Sequence, residues 1–140
     1  MTVPDEGSFV DKIGLVIEEW TKERVVGSLP VEGNTQPYGF LHGGATCSVV
    51  ESLASLGAAG VAGPDKIVMG QQQTTHFLGT STYGTVRGVA TPVQIGKTAH
   101  VWNVDVTHVD TGKLIATGRV IMAVRKPRKP AAGSAERSLL

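Results

Sequence analysis

From Ala45 to Gly60 the chain reads Ala-Thr-Cys-Ser-Val-Val-Glu-Ser-Leu-Ala-Ser-Leu-Gly-Ala-Ala-Gly, with no proline and a single charge. About 16 residues of this kind are too long for a strand and predict a helix. Ser48, Glu51 and Ser55 are spaced i, i+3, i+7 and share one stripe of it, while the other faces are small or apolar. A helix of this composition has to be covered on several sides, with a polar seam through it.

Strand-like segments flank the helix. Ile13–Trp20 and Arg24–Val31, joined by Thr21-Lys22-Glu23, read as a β-hairpin, with Pro30 near a strand end or at an edge. After the helix come 67–78, 84–95, 99–109 and 114–124, separated by Gly-Thr-Ser-Thr, Gly-Lys-Thr and Asp-Thr-Gly-Lys turns. Val101, Asn103, Asp105 and Thr107 alternate with Trp102, Val104, Val106 and His108, as in a strand with unequal faces. The order gives an α+β fold, an antiparallel sheet of about six strands wrapped around one long central helix. One curved sheet covers only one side of that helix, and a second copy of the chain is the simplest cover for the other.

With 140 residues the chain holds one domain, expected over 1–125, with a disordered Pro-, Ala- and Arg-rich tail over 126–140. Thirteen basic against twelve acidic residues, net +1, give no argument for nucleic acid or a membrane surface as partner. The first residues lack the basic and apolar regions of a signal peptide, and no apolar run is read as reaching membrane-spanning length. A cytoplasmic protein is expected. The single cysteine, Cys47, rules out an intrachain disulfide and reads as a small core residue. His42, His76 and His108 have no metal-ligand spacing, and neither a metal nor a separate cofactor is expected.

The chemistry-bearing stretch is Gln36-Pro-Tyr-Gly-Phe-Leu-His-Gly-Gly44, which leads into the helix. Backbone N–H groups at a helix start lack intrahelical partners, and glycine there lets a substrate carbonyl approach them closely. Such a carbonyl would be polarised as in an oxyanion hole. Glu51, the only acidic residue between Gly33 and Gly63, is the candidate attacking group, although one Glu on a solvated face reads equally well. Gly43 and Glu51 are eight residues apart, about 12 Å of helical rise. Reacting atoms must approach to about 3–3.5 Å, so if both take part they come from different protomers. Two helices antiparallel about a two-fold axis would bring Gly43 of one near Glu51 of the other, twice.

Tyr38-Gly39-Phe40-Leu41-His42-Gly43-Gly44-Ala45, with Glu51 nine residues after His42 and an ungapped run from Val68-Met69-Gly70 to Gln94-Ile95-Gly96-Lys97-Thr98, resembles the hotdog-fold acyl-CoA thioesterases of the PaaI type. The likeness covers roughly residues 10–124 and is nearest to the glutamate branch. That branch includes the Arthrobacter-type 4-hydroxybenzoyl-CoA, dihydroxynaphthoyl-CoA and enterobactin proofreading thioesterases.

The resemblance implies hydrolysis of an acyl or aryl thioester of coenzyme A, with Glu51 as nucleophile or general base and Gly43 as oxyanion donor. His42 and Gln36 would orient the thioester, and Ser55 the water or carboxylate. Gly44, Gly70, Phe77, Leu78, Gly79, Thr80, Gln94, Ile95, Gly96, Lys97, Thr98 and Ala99 would line the acyl and CoA groups. It also implies a homodimer with shared sites, pairing into a homotetramer.

Phe77 and Gly79-Thr80 stand where those relatives tend to carry His and Arg-Pro, so a donor to a hydroxyaryl group is missing. Lys97, where Arg is common, or the Arg125–Lys129 cluster would meet CoA phosphates. Two other readings share the fold: a hydratase or dehydratase acting on acyl thioesters, and a non-catalytic acyl-CoA-binding protein.

Overall fold

The computed structural model describes residues 6–129. A short helix, α1 (Phe9–Ile13), precedes strands β1 (Val16–Trp20) and β2 (Val25–Pro30). The long helix α2 (Gly43–Ala62) follows, then β3 (Ile67–Phe77), β4 (Thr85–Ile95), β5 (Ala99–His108) and β6 (Leu114–Arg125). The strands form one antiparallel sheet in the order β1-β2-β4-β5-β6-β3. The α+β arrangement, six strands around one central helix, is the expected one.

Three readings are corrected. Residues 9–13 are helical where the hairpin strand was expected to begin at Ile13. Ser8 caps this turn by accepting a hydrogen bond from Asp11 N, and Gly14 ends it at φ 77°. Ser-x-x-Asp before apolar residues is a capping signature that outweighs the β-branched pattern locally. Cys47 is half-buried rather than part of the core. And α2, at 20 residues, does have the length and apolar composition of a membrane span. Here it lies against the sheet, touching every strand. The tail expected over 126–140 falls outside the described residues from 130 onward.

The burial of α2 follows one stripe: Thr46, Val49, Val50, Leu53, Ala54, Gly57 and Ala58. Glycines let this stripe approach closely. A Cβ at Gly27 of β2 would stand 2.8 Å from Leu53 Cδ2, and one at Gly88 of β4 would stand 2.6 Å from Leu53 Cδ1 and 2.8 Å from Val49 Cγ1. Gly27 and Gly88 are direct cross-strand partners, so Leu53 seats over a gap two strands wide. On β6, Gly118 does the same for Val50 at 2.6 Å. The relation reverses at Gly57, where a Cβ on the helix would meet the fully buried Trp102 ring at 2.6 Å. The inward residues of β5 are buried as the alternation predicts: Trp102, Val104, Val106 and His108.

His100, on the same face and 2 % exposed, has no hydrogen-bond partner for Nδ1 among the described residues. Burial lowers its pKa, which favours the neutral imidazole.

These contacts generate a test. Gly88→Ala overpacks the seat of Leu53 and should cost about 1–3 kcal/mol, a fall in Tm of several degrees. Leu53→Ala in the Gly88→Ala background should cost less than Leu53→Ala does in the wild type, as measured by thermal unfolding. Additive losses would contradict the proposed packing.

Candidate active site

The loop before α2 is held by its backbone. Gln36 N donates to Phe40 O, Gly39 N to Gln36 O, Leu41 N to Ser81 O and His42 N to Asn34 O, all at 2.7–2.9 Å. Gly39 takes a left-handed φ of 85° in this turn. The loop delivers His42 as the N-cap of α2, where Nδ1 accepts from Gly44 N at 2.7 Å. That bond uses the Gly44 N–H and leaves the next one back. Gly43 N has no acceptor among the described residues, as expected for the first residue of a helix.

Gly43 lines a cavity of about 270 Å³ together with Gln36, Thr46, Phe77, Gly79 and Thr80. The Phe77 ring packs on Gly43, so a Cβ there would lie 3.2 Å from Cε1 and Cζ. The Gln36 side chain accepts from Tyr38 N through Oε1, which leaves its amide donors free.

Glu51, two turns further along α2, lines other cavities. One of about 170 Å³ is formed with Gly70, Gln71, Gln72 and Gln73 on β3. The other, of about 400 Å³, includes Ser48, Ser52 and Ser55. Gly70 makes room for the carboxylate, because a Cβ on it would stand 2.5 Å from Glu51 Oε1. Glu51 is exposed in the single chain, as the solvated-face reading has it, rather than covered within the polar seam of the helix. Ser48 Oγ donates to Gly44 O at 2.8 Å, and Ser55 Oγ approaches Met122 Sδ at 3.9 Å.

The candidate residues therefore fall into two groups. Gln36, Gly43, Phe77, Gly79 and Thr80 come together at one end of α2 and β3. Glu51, in the middle of α2, shares one cavity with Ser55 and another with Gly70 near the start of β3. The β4–β5 turn, Gln94–Ala99, lies at that end of the sheet: Ala99 pairs with Ala123, and Arg125 Nη1 donates to Thr98 O at 2.8 Å. Leu78 is exposed beside the first group, its N–H held by Ile115 O.

Thr46, Ser52 and Ile115 also line these cavities and carried no sequence signal beyond periodicity. His108 is structural, with Nε2 3.0 Å from Tyr83 O and Nδ1 accepting from Thr111 N. No group of His, Cys, Asp and Glu among the described residues could hold a metal ion.

With this geometry in hand, the model for the thioesterase superfamily matches residues 38–115, which span the carbonyl-side loop, α2 and strands β3 to β5. The chain belongs to the thioesterase superfamily. It is similar to the 1,4-dihydroxy-2-naphthoyl-CoA hydrolase of Listeria monocytogenes, 38% identical over 120 residues, which cover 85% of this chain and 97% of that protein. It is also similar to the proofreading thioesterase EntH of Cronobacter sakazakii, 28% identical over 84% of this chain and 86% of that one. Among solved structures, a thioesterase from Haemophilus influenzae superposes with a TM-score of 0.85 at 26% identity, covering 90% of this chain and 88% of the other. AziG of S. sahachiroi superposes at 0.82 with 35% identity, covering 86% and 98%. The thioesterase shares the hotdog arrangement of these neighbours and is an enzyme that hydrolyses thioesters, acyl-CoA esters in general.

The capping bond of His42 makes a prediction for the thioesterase. His42→Ala should lower stability by about 1 kcal/mol, and His42→Asp, which restores a capping acceptor, should recover most of it in denaturant unfolding. An unchanged midpoint in His42→Ala would show that the Nδ1 bond carries no weight.

Proposed function

We propose that the thioesterase hydrolyses acyl-CoA at sites shared between two copies of the chain, the Gly43 N–H of one and the Glu51 carboxylate of the other. The observation that carries this reading is the split just described. The unpaired helix-start donor and the carboxylate line separate cavities of one chain, about 12 Å of helical rise apart.

The free edge of β3 supports it. β3 pairs only with β6 among the described strands, so an 11-residue strand carrying exposed Ile67 and Met69 has one unpaired side. Such an edge is ready to pair with another strand. Antiparallel pairing with the same strand of a second copy brings the Phe77 end of one toward the Gly70 end of the other. Phe77 marks the Gly43 cavity and Gly70 the Glu51 cavity, so the two half-sites meet twice around a two-fold axis.

In the assembled site the thioester carbonyl oxygen accepts from Gly43 N–H, at the positive end of α2. The Glu51 carboxylate adds to the carbonyl carbon, or takes a proton from the water that does so. Either route places negative charge on the oxygen held by Gly43 and breaks the carbon–sulfur bond to release CoA thiol; attack by water gives the carboxylic acid directly, whereas attack by Glu51 leaves a mixed anhydride that a water then hydrolyses to the acid and the free carboxylate. The free amide donors of Gln36 and the exposed Nε2 edge of His42 are placed to orient the ester. Ser55, one turn after Glu51, positions the water. Lys97 and Arg125, on adjoining segments at the Glu51 end, supply positive charge for CoA phosphates. Pairing of such dimers into a tetramer would cover the remaining outer face of α2.

Glu51→Ala should lower kcat by at least about a hundredfold while leaving binding of a non-hydrolysable acyl-CoA analogue within a few-fold. Thiol release is the assay. Turnover near that of the wild type would overturn the assignment. Hydration of an enoyl-CoA without thiol release would favour the hydratase alternative.

A further inference from the structure

The face of the sheet turned away from α2 carries a pattern of its own. Register sets the outward residues of β5, β6 and β3 in cross-strand rows. Val101, Ile121 and Gln72 form the first row, and Asn103, Arg119 and Thr74 the second. Asp105, Thr117 and His76 form the third. Successive rows stand about 6.7 Å apart along the strands, and neighbouring strands about 4.8 Å apart. Every one of these positions except Asp105 lines a groove of about 580 Å³. That volume lies in the range of small-molecule sites, about 300–1,000 Å³. α2, with Gly43 and Glu51, packs on the opposite face, and Gln72 on the edge strand borders both this groove and a Glu51 cavity.

Arg119 stands in the middle row without a partner. On the same face Arg87 of β4 is paired with Glu18 at 2.9 Å, whereas Arg119 forms no ion pair among the described residues. The one carboxylate of the three rows is held by other neighbours. Asp105 Oδ1 accepts from Thr117 Oγ1 at 2.6 Å and from Asn103 Nδ2 at 3.3 Å. Thr74, directly across from Arg119, accepts from Gln72 Nε2 at 3.4 Å and keeps its own O–H to donate. To one side of the guanidinium lies the half-buried apolar pair Val101 and Ile121. A planar guanidinium beside an apolar floor is the complement of a carboxylate carried on an apolar body.

We infer that this outer groove is a second ligand site, one that binds a small organic monocarboxylate. The carboxylate forks onto Arg119 with the Thr74 O–H beside it, and the apolar body covers Val101 and Ile121. Asp105, at the rim, disfavours a dianion such as phosphate. The carboxylic acid that thioester hydrolysis releases is a ligand of this class. Neither Gly43 nor Glu51 takes part, so the inference stands apart from the shared-site reading.

The test is calorimetric titration of hexanoate into the full chain, with the catalytic sites filled by a non-hydrolysable acyl-CoA analogue. The wild type should bind one hexanoate per chain, and should bind hexanamide and inorganic phosphate at least about tenfold more weakly. Arg119→Gln should weaken hexanoate at least about tenfold, and Arg119→Lys, which keeps the charge but not the fork, should fall between the two. Because Arg119 is exposed and unpaired, unfolding midpoints of both variants should stay close to that of the wild type. Hexanoate affinity in Arg119→Gln within about twofold of the wild type would overturn the inference, as would hexanamide binding as tightly as hexanoate. Phosphate binding as tightly as hexanoate would replace the carboxylate site with a general anion site. Absence of hexanoate binding, together with an Arg119→Glu variant that splits a larger assembly into smaller ones, would make this face a contact between copies instead. Absence of binding without that change overturns the inference outright.

Discussion

Everything in this fold depends on how closely α2 approaches the sheet. Leu53 and Val50 can sit down on β2, β4 and β6 only because Gly27, Gly88 and Gly118 carry no side chain there, and Trp102 can rise into the helix only because of Gly57. Interiors are packed so tightly that one methyl group at any of these positions has nowhere to go. The close seat fixes the rotation of α2 about its own axis. With Val49, Val50, Leu53 and Ala54 turned to the sheet, Ser48, Ser52 and Ser55 are half-buried and Glu51 is turned outward. The position of the carboxylate is thus a consequence of core packing many residues away from it.

The same geometry divides the chemistry. The start of α2 offers an unpaired N–H at Gly43, and the loop bonds that hold His42 keep that donor pointed away from any internal acceptor. The side chain of Glu51 leaves the helix two turns later toward β3, where Gly70 gives it room. A rigid helix cannot fold back to join these groups. A two-fold partner can, and β3, which touches both groups, is one of the two edge strands of the sheet and has an open side. The separation of the half-sites and the open edge are two independent features of one chain that the same second copy would resolve.

Much of this was readable from residues. The unbroken Ala45–Gly60 run specified the central helix, and period-two alternation through Val101–His108 specified both the strand and its buried face. The eight-residue spacing from Gly43 to Glu51 already forbade a site within one chain. Other features depend on contacts distant in sequence. Nothing in Gly70 itself says that it clears space for Glu51, and nothing in Gly88 says that Leu53 lands on it; both follow from register. The helix at Phe9–Ile13 was missed, and its last residue, Ile13, was read into the following β-branched strand, although Ser8 and Asp11 carried the capping signal. Whether Glu51 lay in a covered polar seam or on a solvated face stayed open, because composition shows what lines a helix but not which stripe faces out.

The claim that the two halves of the site come from different subunits is tested most directly by subunit complementation. One variant, Glu51→Ala, lacks the attacking group. The other, Gly43→Pro, removes the oxyanion N–H at a first helical position whose backbone suits proline, with the Phe77 ring, 3.2 Å from a Cβ there, having to shift slightly. Each alone should release almost no thiol. Co-expressed in equal amounts, half the dimers formed at random are mixed, and each mixed dimer has one intact site of two. Activity should then return to about a quarter of that of the wild type. Mixtures as inactive as their parents, with mixed dimers demonstrated by differential tagging, would contradict the shared site.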